Sequence, residues 1–123
     1  MKRFLTVFLC LVLFVVPVAA QEQRCDRTAS ITAAAASSAT VASAIAGLTV
    51  YICGFLLTGD TAATGIQFRT GSTNLTGVML TPANGNITMP ISDSFALAGA
   101  DGAAVTVACT TGACTGFVSY TQR

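Results

Sequence analysis

The sequence predicts an all-β protein: a single β-sandwich or jelly-roll-like domain of about eight short antiparallel strands. That domain spans residues 28–123, behind a cleaved signal peptide (1–20) and a short exposed leader (21–27). Three observations carry this prediction. Turn-forming groups recur at intervals of roughly a dozen residues. Between them apolar and polar side chains alternate, the period-two mark of half-buried strands. Four cysteines also remain downstream of an export signal, as in small disulfide-stapled domains.

The first element is the export signal. Lys2 and Arg3 precede an apolar stretch from Phe4 to Val16, followed by Pro17 and Val18-Ala19-Ala20. A basic start, an apolar middle and small residues before a cleavage point place processing ahead of Gln21. The expected location is secreted, extracellular or virion-associated, and Cys10 leaves with the signal.

Residues 21–123 carry Arg24, Arg27, Arg69 and Arg123 against Glu22, Asp26, Asp60, Asp93 and Asp101. That balance lacks the basic footprint of nucleic-acid binding, and no basic cluster would hold an anionic membrane surface. Ala, Thr, Gly and Ser supply 55 of these 103 residues, while Val, Ile, Leu, Met and Phe supply only 24. Few large side chains make a thin core, which calls for help from disulfides or neighbouring subunits. Low charge also leaves the surface poorly solvated and favours association. The expected partner is a second copy of the chain, in a homo-oligomer or lattice.

From Thr28 to Gly59 no charge occurs in 32 residues. Three readings fit. A transmembrane helix centred on residues 41–57 has the length, but Ser, Thr and Ala dilute it and no Lys or Arg stands close to its ends. An Ala-rich helix over 33–46 has the propensity. Two strands, 29–34 and 48–57, joined by a loop of small residues, fit best. Thr49-Val50-Tyr51-Ile52-Cys53-Gly54-Phe55 is β-branched, aromatic and apolar on both faces, as a strand covered on each side would be. No membrane span is therefore expected in the mature chain.

Further on, Gly59-Asp60, Gly71-Ser72, Pro82-Ala83-Asn84-Gly85, Gly99-Ala100-Asp101-Gly102 and Thr111-Gly112 mark turns. They bound strands expected at 65–70, 75–80, 86–91, 95–97, 103–109 and 114–121. Ile66-Gln67-Phe68-Arg69 and Ile87-Thr88-Met89 show the alternation most clearly.

Four cysteines allow three pairings. If 104–109 and 114–120 fold as one hairpin, Cys109 stands opposite Cys114, Val107 opposite Gly116 and Val105 opposite Val118, all on one face. Cys109–Cys114 is then expected, which leaves Cys25–Cys53. Chain entropy gives roughly 2 kcal/mol for the short loop and about 3.5 kcal/mol for the long one. A metal site is disfavoured, because His and CxxC spacing are both missing.

Tyr51-Ile52-Cys53-Gly54-Phe55, Gly71-Ser72-Thr73-Asn74-Leu75-Thr76-Gly77 and Thr115-Gly116-Phe117-Val118-Ser119-Tyr120 resemble strands of small disulfide-containing β-sandwich proteins. Those occur in tailed-phage and environmental viral sequences, and the resemblance spans most of residues 25–121. It implies a structural or virion-decorating subunit. Two departures point instead to an extracellular assembly of bacterial origin: the signal peptide, and a short 71–75 loop without a cysteine.

Catalytic groups are sparse. The chain has no His, and its only lysine, Lys2, lies in the signal segment, so a nucleophile would depend on Asp or Glu as its base. The carboxylates are not spaced as a glycosidase pair. The expectation is a non-enzymatic protein with no cofactor. Asp60 and Asp101 would form a binding loop, or hold Ca²⁺, only if their turns share one end of the sandwich. Asn74-Leu75-Thr76 and Asn86-Ile87-Thr88 are acceptor sequons for glycosylation at Asn74 and Asn86. Tyr51 and Tyr120 would stack on a sugar if both were exposed, which defines the competing reading: a secreted module binding a host-surface glycan or protein. Uncharged strand edges, open to pairing with another chain, support the leading one, a structural subunit.

Overall fold

The computed structural model describes residues 25–92 and 94–123. Residues 1–24, which hold the expected signal segment and most of the expected leader, and Asp93 lie outside the described residues. Ten strands form: β1 (Arg27–Ala33), β2 (Ser37–Ala42), β3 (Val50–Gly59), β4 (Thr64–Thr70), β5 (Thr73–Asn74), β6 (Met79–Thr81), β7 (Asn86–Met89), β8 (Leu97–Ala98), β9 (Val105–Cys109) and β10 (Cys114–Gln122). They make two antiparallel sheets and no helix among the described residues. Sheet A runs β1-β10-β3-β7, with β8 also on β3; sheet B runs β2-β9-β4-β5, with β6 also on β4.

Each sheet thus has four positions, because β7 and β8 lie along one edge of β3 and β5 and β6 along one edge of β4. Merging the interrupted edges leaves eight strands whose first pairs with the last, the second with the seventh, the third with the sixth and the fourth with the fifth. That nesting is the jelly-roll wrap. The expected β-sandwich is present.

The sheets face each other across a small core. Ile31, Val50, Ile52, Phe55, Leu57 and Val118 of sheet A meet Val41, Ile66, Phe68, Val105 and Val107 of sheet B. Phe55 and Phe68 touch across the gap, ring centroids 4.9 Å apart. Alternation along β3 breaks once. Ser119 pairs with Gly54 and Tyr120 with Ile52, so Cys53 is the extra residue of a β-bulge. A bulge shifts the side-chain period by one, so Val50 and Ile52 point inward before it and Phe55 and Leu57 after it. The apolar reading of both faces of this strand arises partly from that switch.

Four connections, 34–36, 60–63, 82–85 and 110–113, cross between the sheets at the same end of the sandwich. Threonines knit them together. The Thr64 hydroxyl donates to the Gly112 carbonyl at 2.9 Å, that of Thr81 to the Thr64 carbonyl at 3.1 Å, and that of Thr111 to the Ala63 carbonyl at 2.8 Å. The Thr110 hydroxyl accepts from the Gly65 amide at 3.0 Å. Thr64 and Thr81 are buried. Thr fills space like Val while satisfying a carbonyl that a crossing loop would otherwise bury unpaired. The high threonine content has a structural use here.

Both expected disulfides form, with Cα–Cα distances of 6.2 Å for Cys25–Cys53 and 6.1 Å for Cys109–Cys114. They are consistent with an oxidising environment. The hairpin invoked for the second is not present. β9 belongs to sheet B and β10 to sheet A, so the bridge ties one sheet to the other through the 110–113 crossing. Val105, Val107, Val118 and both cysteines do face one buried space, but that space lies between sheets. Alternation reports the buried side of a strand and is silent on its neighbour.

The two-strand reading of 29–34 and 48–57 holds, and three smaller expectations change. Neither a helix over 33–46 nor a membrane helix over 41–57 forms: the stretch is the end of β1, β2, a loop and β3. No helix among the described residues is long and apolar enough to cross a membrane. The loop of small residues between 34 and 48 contains β2, a strand without large side chains because it sits at a sheet edge and buries only Val41 and Ala42, with Ala39 partly covered. Of the expected strand at 75–80 only Met79 and Leu80 form one, within β6, while β5 lies ahead of it, and the leader ends one residue early, since Arg27 already pairs with Tyr120.

Candidate functional site

The outer face of sheet A is the surface most in need of explanation. Along β1, Ala29, Ile31 and Ala33 turn inward, so Thr28, Ser30 and Thr32 turn out. Register aligns them with their neighbours into cross-strand rows. One row is Ser30, Phe117, Leu56 and Thr88; the next is Thr32, Thr115, Thr58 and Asn86. Phe117 is 37% exposed and Leu56 half-buried. Arg27, at the very start of β1, is the only charged residue in any strand of sheet A. Among the described residues the strands of this face thus present hydroxyls around an apolar centre, with Arg27 as their one charge.

The segment between β7 and β8 covers the rest of this face. Gly54 makes room for it: a Cβ there would lie 2.6 Å from the Ile91 Cα. The Ser92 amide donates to the Cys53 carbonyl at 3.3 Å and the Ala96 amide to that of Ile52 at 2.9 Å. Ile91 itself remains 60% exposed, extending the apolar centre. Phe95 stacks on Tyr51 at 4.5 Å between ring centroids, and the Arg123 guanidinium lies 4.9 Å from the Phe95 centroid and 5.4 Å from that of Tyr51.

The two edges of sheet A differ. β1 is an uninterrupted edge strand of seven residues whose only charge is Arg27. It carries no proline and no bulge, two devices that blunt an edge, and its one charge stands at its first residue, on the side of Ala29 and Ile31. The opposite edge of sheet A is broken between Met89 and Leu97. An incoming strand finds one continuous template here and one discontinuous one.

The other candidate residues disperse. Asp60 follows β3 at the end with four crossings, its amide bonded to the Ala113 carbonyl at 3.0 Å. Asp101 lies at the opposite end, in the loop whose Gly99 amide bonds to the Val50 carbonyl at 2.8 Å. The ten residues of β3 separate them by roughly 30 Å, so they form no shared loop and no common Ca²⁺ site. Tyr120 packs against the core while Tyr51 lies outside with Phe95, so the two tyrosines make no joint sugar platform. Asn74 and Asn86 are both exposed, on β5 and β7. Asn86 ends a row of the sheet A face.

Sequence reasoning pointed to edges and faces without choosing among them. It missed that Ile91, Ser92 and Ala96 lie over β3; the small residue at Gly54 was the available signal. Comparison with protein families, with curated proteins and with solved structures finds no match.

Proposed function

We propose that this chain is an exported, non-enzymatic structural subunit that assembles with copies of itself through the outer face of sheet A and the β1 edge. The observation that carries the reading is the face built on Phe117 and Leu56, whose strands hold a single charge, bordered by an uninterrupted seven-residue edge strand. A second copy meeting β1 antiparallel about Ser30 would set Thr28 against Thr32 and keep the two Arg27 side chains apart, avoiding like-charge contact. The resemblance to virion-decorating β-sandwich proteins adds support, as does the use of jelly rolls in capsids; lectins share the architecture, so the surface must decide.

The test is the mass of the oxidised, processed chain in solution from micromolar to millimolar concentration, by light scattering and sedimentation. Mass is expected to rise with concentration. Phe117→Lys and Thr32→Lys, both at exposed positions, should leave the thermal midpoint within a few degrees and abolish the rise. A monomer at every concentration refutes the proposal.

A further inference from the structure

The outer face of sheet B carries a different feature. Arg69 is exposed on β4 and is the only charged residue in any strand of that sheet. Its Nε and Nη2 donate to Gln67 Oε1 at 3.2 and 3.1 Å. Gln67 is only 6% exposed, and its Nε2 donates to the Thr76 carbonyl at 3.0 Å. Both ends of the buried amide are therefore committed, and the guanidinium is held in one orientation. The acceptor is neutral, so the positive charge is not cancelled. Of five guanidinium N–H groups, two are used and three remain.

Those three stand beside a shallow depression bounded by Ser37, Ser38, Ala108 and Thr110 as well as Arg69. Small residues create it: Ala108 pairs with Ser38 on one side and with Gln67 on the other, leaving a low floor across the middle of the sheet. Ser38 and Thr110 are exposed hydroxyls at its rim. No acidic residue occurs in the strands of sheet B, so no strand carboxylate there repels a negative ligand.

We propose that the Gln67–Arg69 clamp and this depression form a binding site for one oxyanion group, a carboxylate or a sulfate ester, presented by a small ligand. A planar fork fixed in advance matches the paired oxygens of such groups, and orienting it costs little at binding. Nearby hydroxyls donate to the remaining oxygens. The site lies on the opposite face from the assembly surface and does not depend on it.

The experiment is an NMR titration of the ¹⁵N-labelled, oxidised chain with sodium acetate and with sodium methyl sulfate, against sodium chloride at equal ionic strength. The Nε–H resonance of Arg69 and the Ser38 and Ala108 amides should shift and saturate in the millimolar range, while the Nε–H groups of Arg27 and Arg123 should not. Saturation by acetate alone identifies a carboxylate site; by methyl sulfate alone, a sulfate site; by both, a general oxyanion site. Arg69→Lys keeps the charge and loses the fork, and should weaken binding at least about fivefold. Gln67→Glu keeps the shape but lays a carboxylate on the guanidinium, and should abolish binding with the amide spectrum otherwise preserved. Shifts no different from chloride, or unchanged affinity in either variant, overturn the proposal.

Discussion

Replacing Cys109 and Cys114 together by alanine tests the sheet-to-sheet staple. Two contributions are lost. Opening a loop with a sequence separation of 5 returns about 2 kcal/mol of chain entropy to the unfolded state. Both cysteines are 1% exposed, so removing two buried sulfurs costs about 1 kcal/mol each in lost burial and packing. The total, about 4 kcal/mol, is a large share of the roughly 5–15 kcal/mol expected for a small domain. At about 4–8 °C per kcal/mol for a domain of this size, the midpoint should fall on the order of 15–30 °C, measured by circular dichroism under oxidising conditions. Hydrogen exchange locates the damage. Ala33 and Gly59 flank Cys114 in sheet A, whereas Ser37 and Ile66 flank Cys109 in sheet B. All four amides should lose protection together. Loss confined to β9 and β10, or a midpoint shift under about 5 °C, would refute a bridge that holds the sheets together.

Three further outcomes follow from backbone geometry. Gly116 has φ +148°, and a Cβ there would lie 2.0 Å from the Leu56 carbonyl oxygen; Gly116→Ala should cost more than about 4 kcal/mol, read as loss of soluble folded protein or of its cooperative melt. Gly54→Ala should push the 90–96 segment away from β3, seen as faster exchange at the Ser92 and Ala96 amides while β9 stays protected. Ala36 sits at φ +54° in the first crossing, so Ala36→Gly should raise stability by up to about 1 kcal/mol in urea unfolding.

Much of this fold could be read from the chain, for a physical reason. Which side of a strand is buried is written locally, and Ile66, Phe68, Val105, Val107 and Val118 all face inward as alternation indicated. Which strands lie side by side is not local. β1 pairs with β10, at the far end of the chain, and no run of residues advertises that. The cysteine pair was inferred from a hairpin, yet a crossing between sheets brings the same two side chains together, so the pairing held where its reason did not. β2 escaped notice because an edge strand over a thin core tolerates Ser, Ala and Thr, which also make loops. The dispersal of Asp60 and Asp101 to opposite ends, and the Gln67–Arg69 clamp, both depend on which way the strands run and what lies over them.

The broken margins of the sandwich set a limit on growth. On the side of β5 to β8, the 75–78 and 90–96 excursions interrupt the ladder after two to four residues, too short to nucleate a partner strand. Sheet A therefore offers a single continuous rim, and two molecules joined through it would leave only the bulged β2 edge of sheet B for a further strand. A contact of that kind closes on itself as a twofold pair instead of running on into a fibre. A larger array would then be tiled from such pairs through their flat sides or through β2.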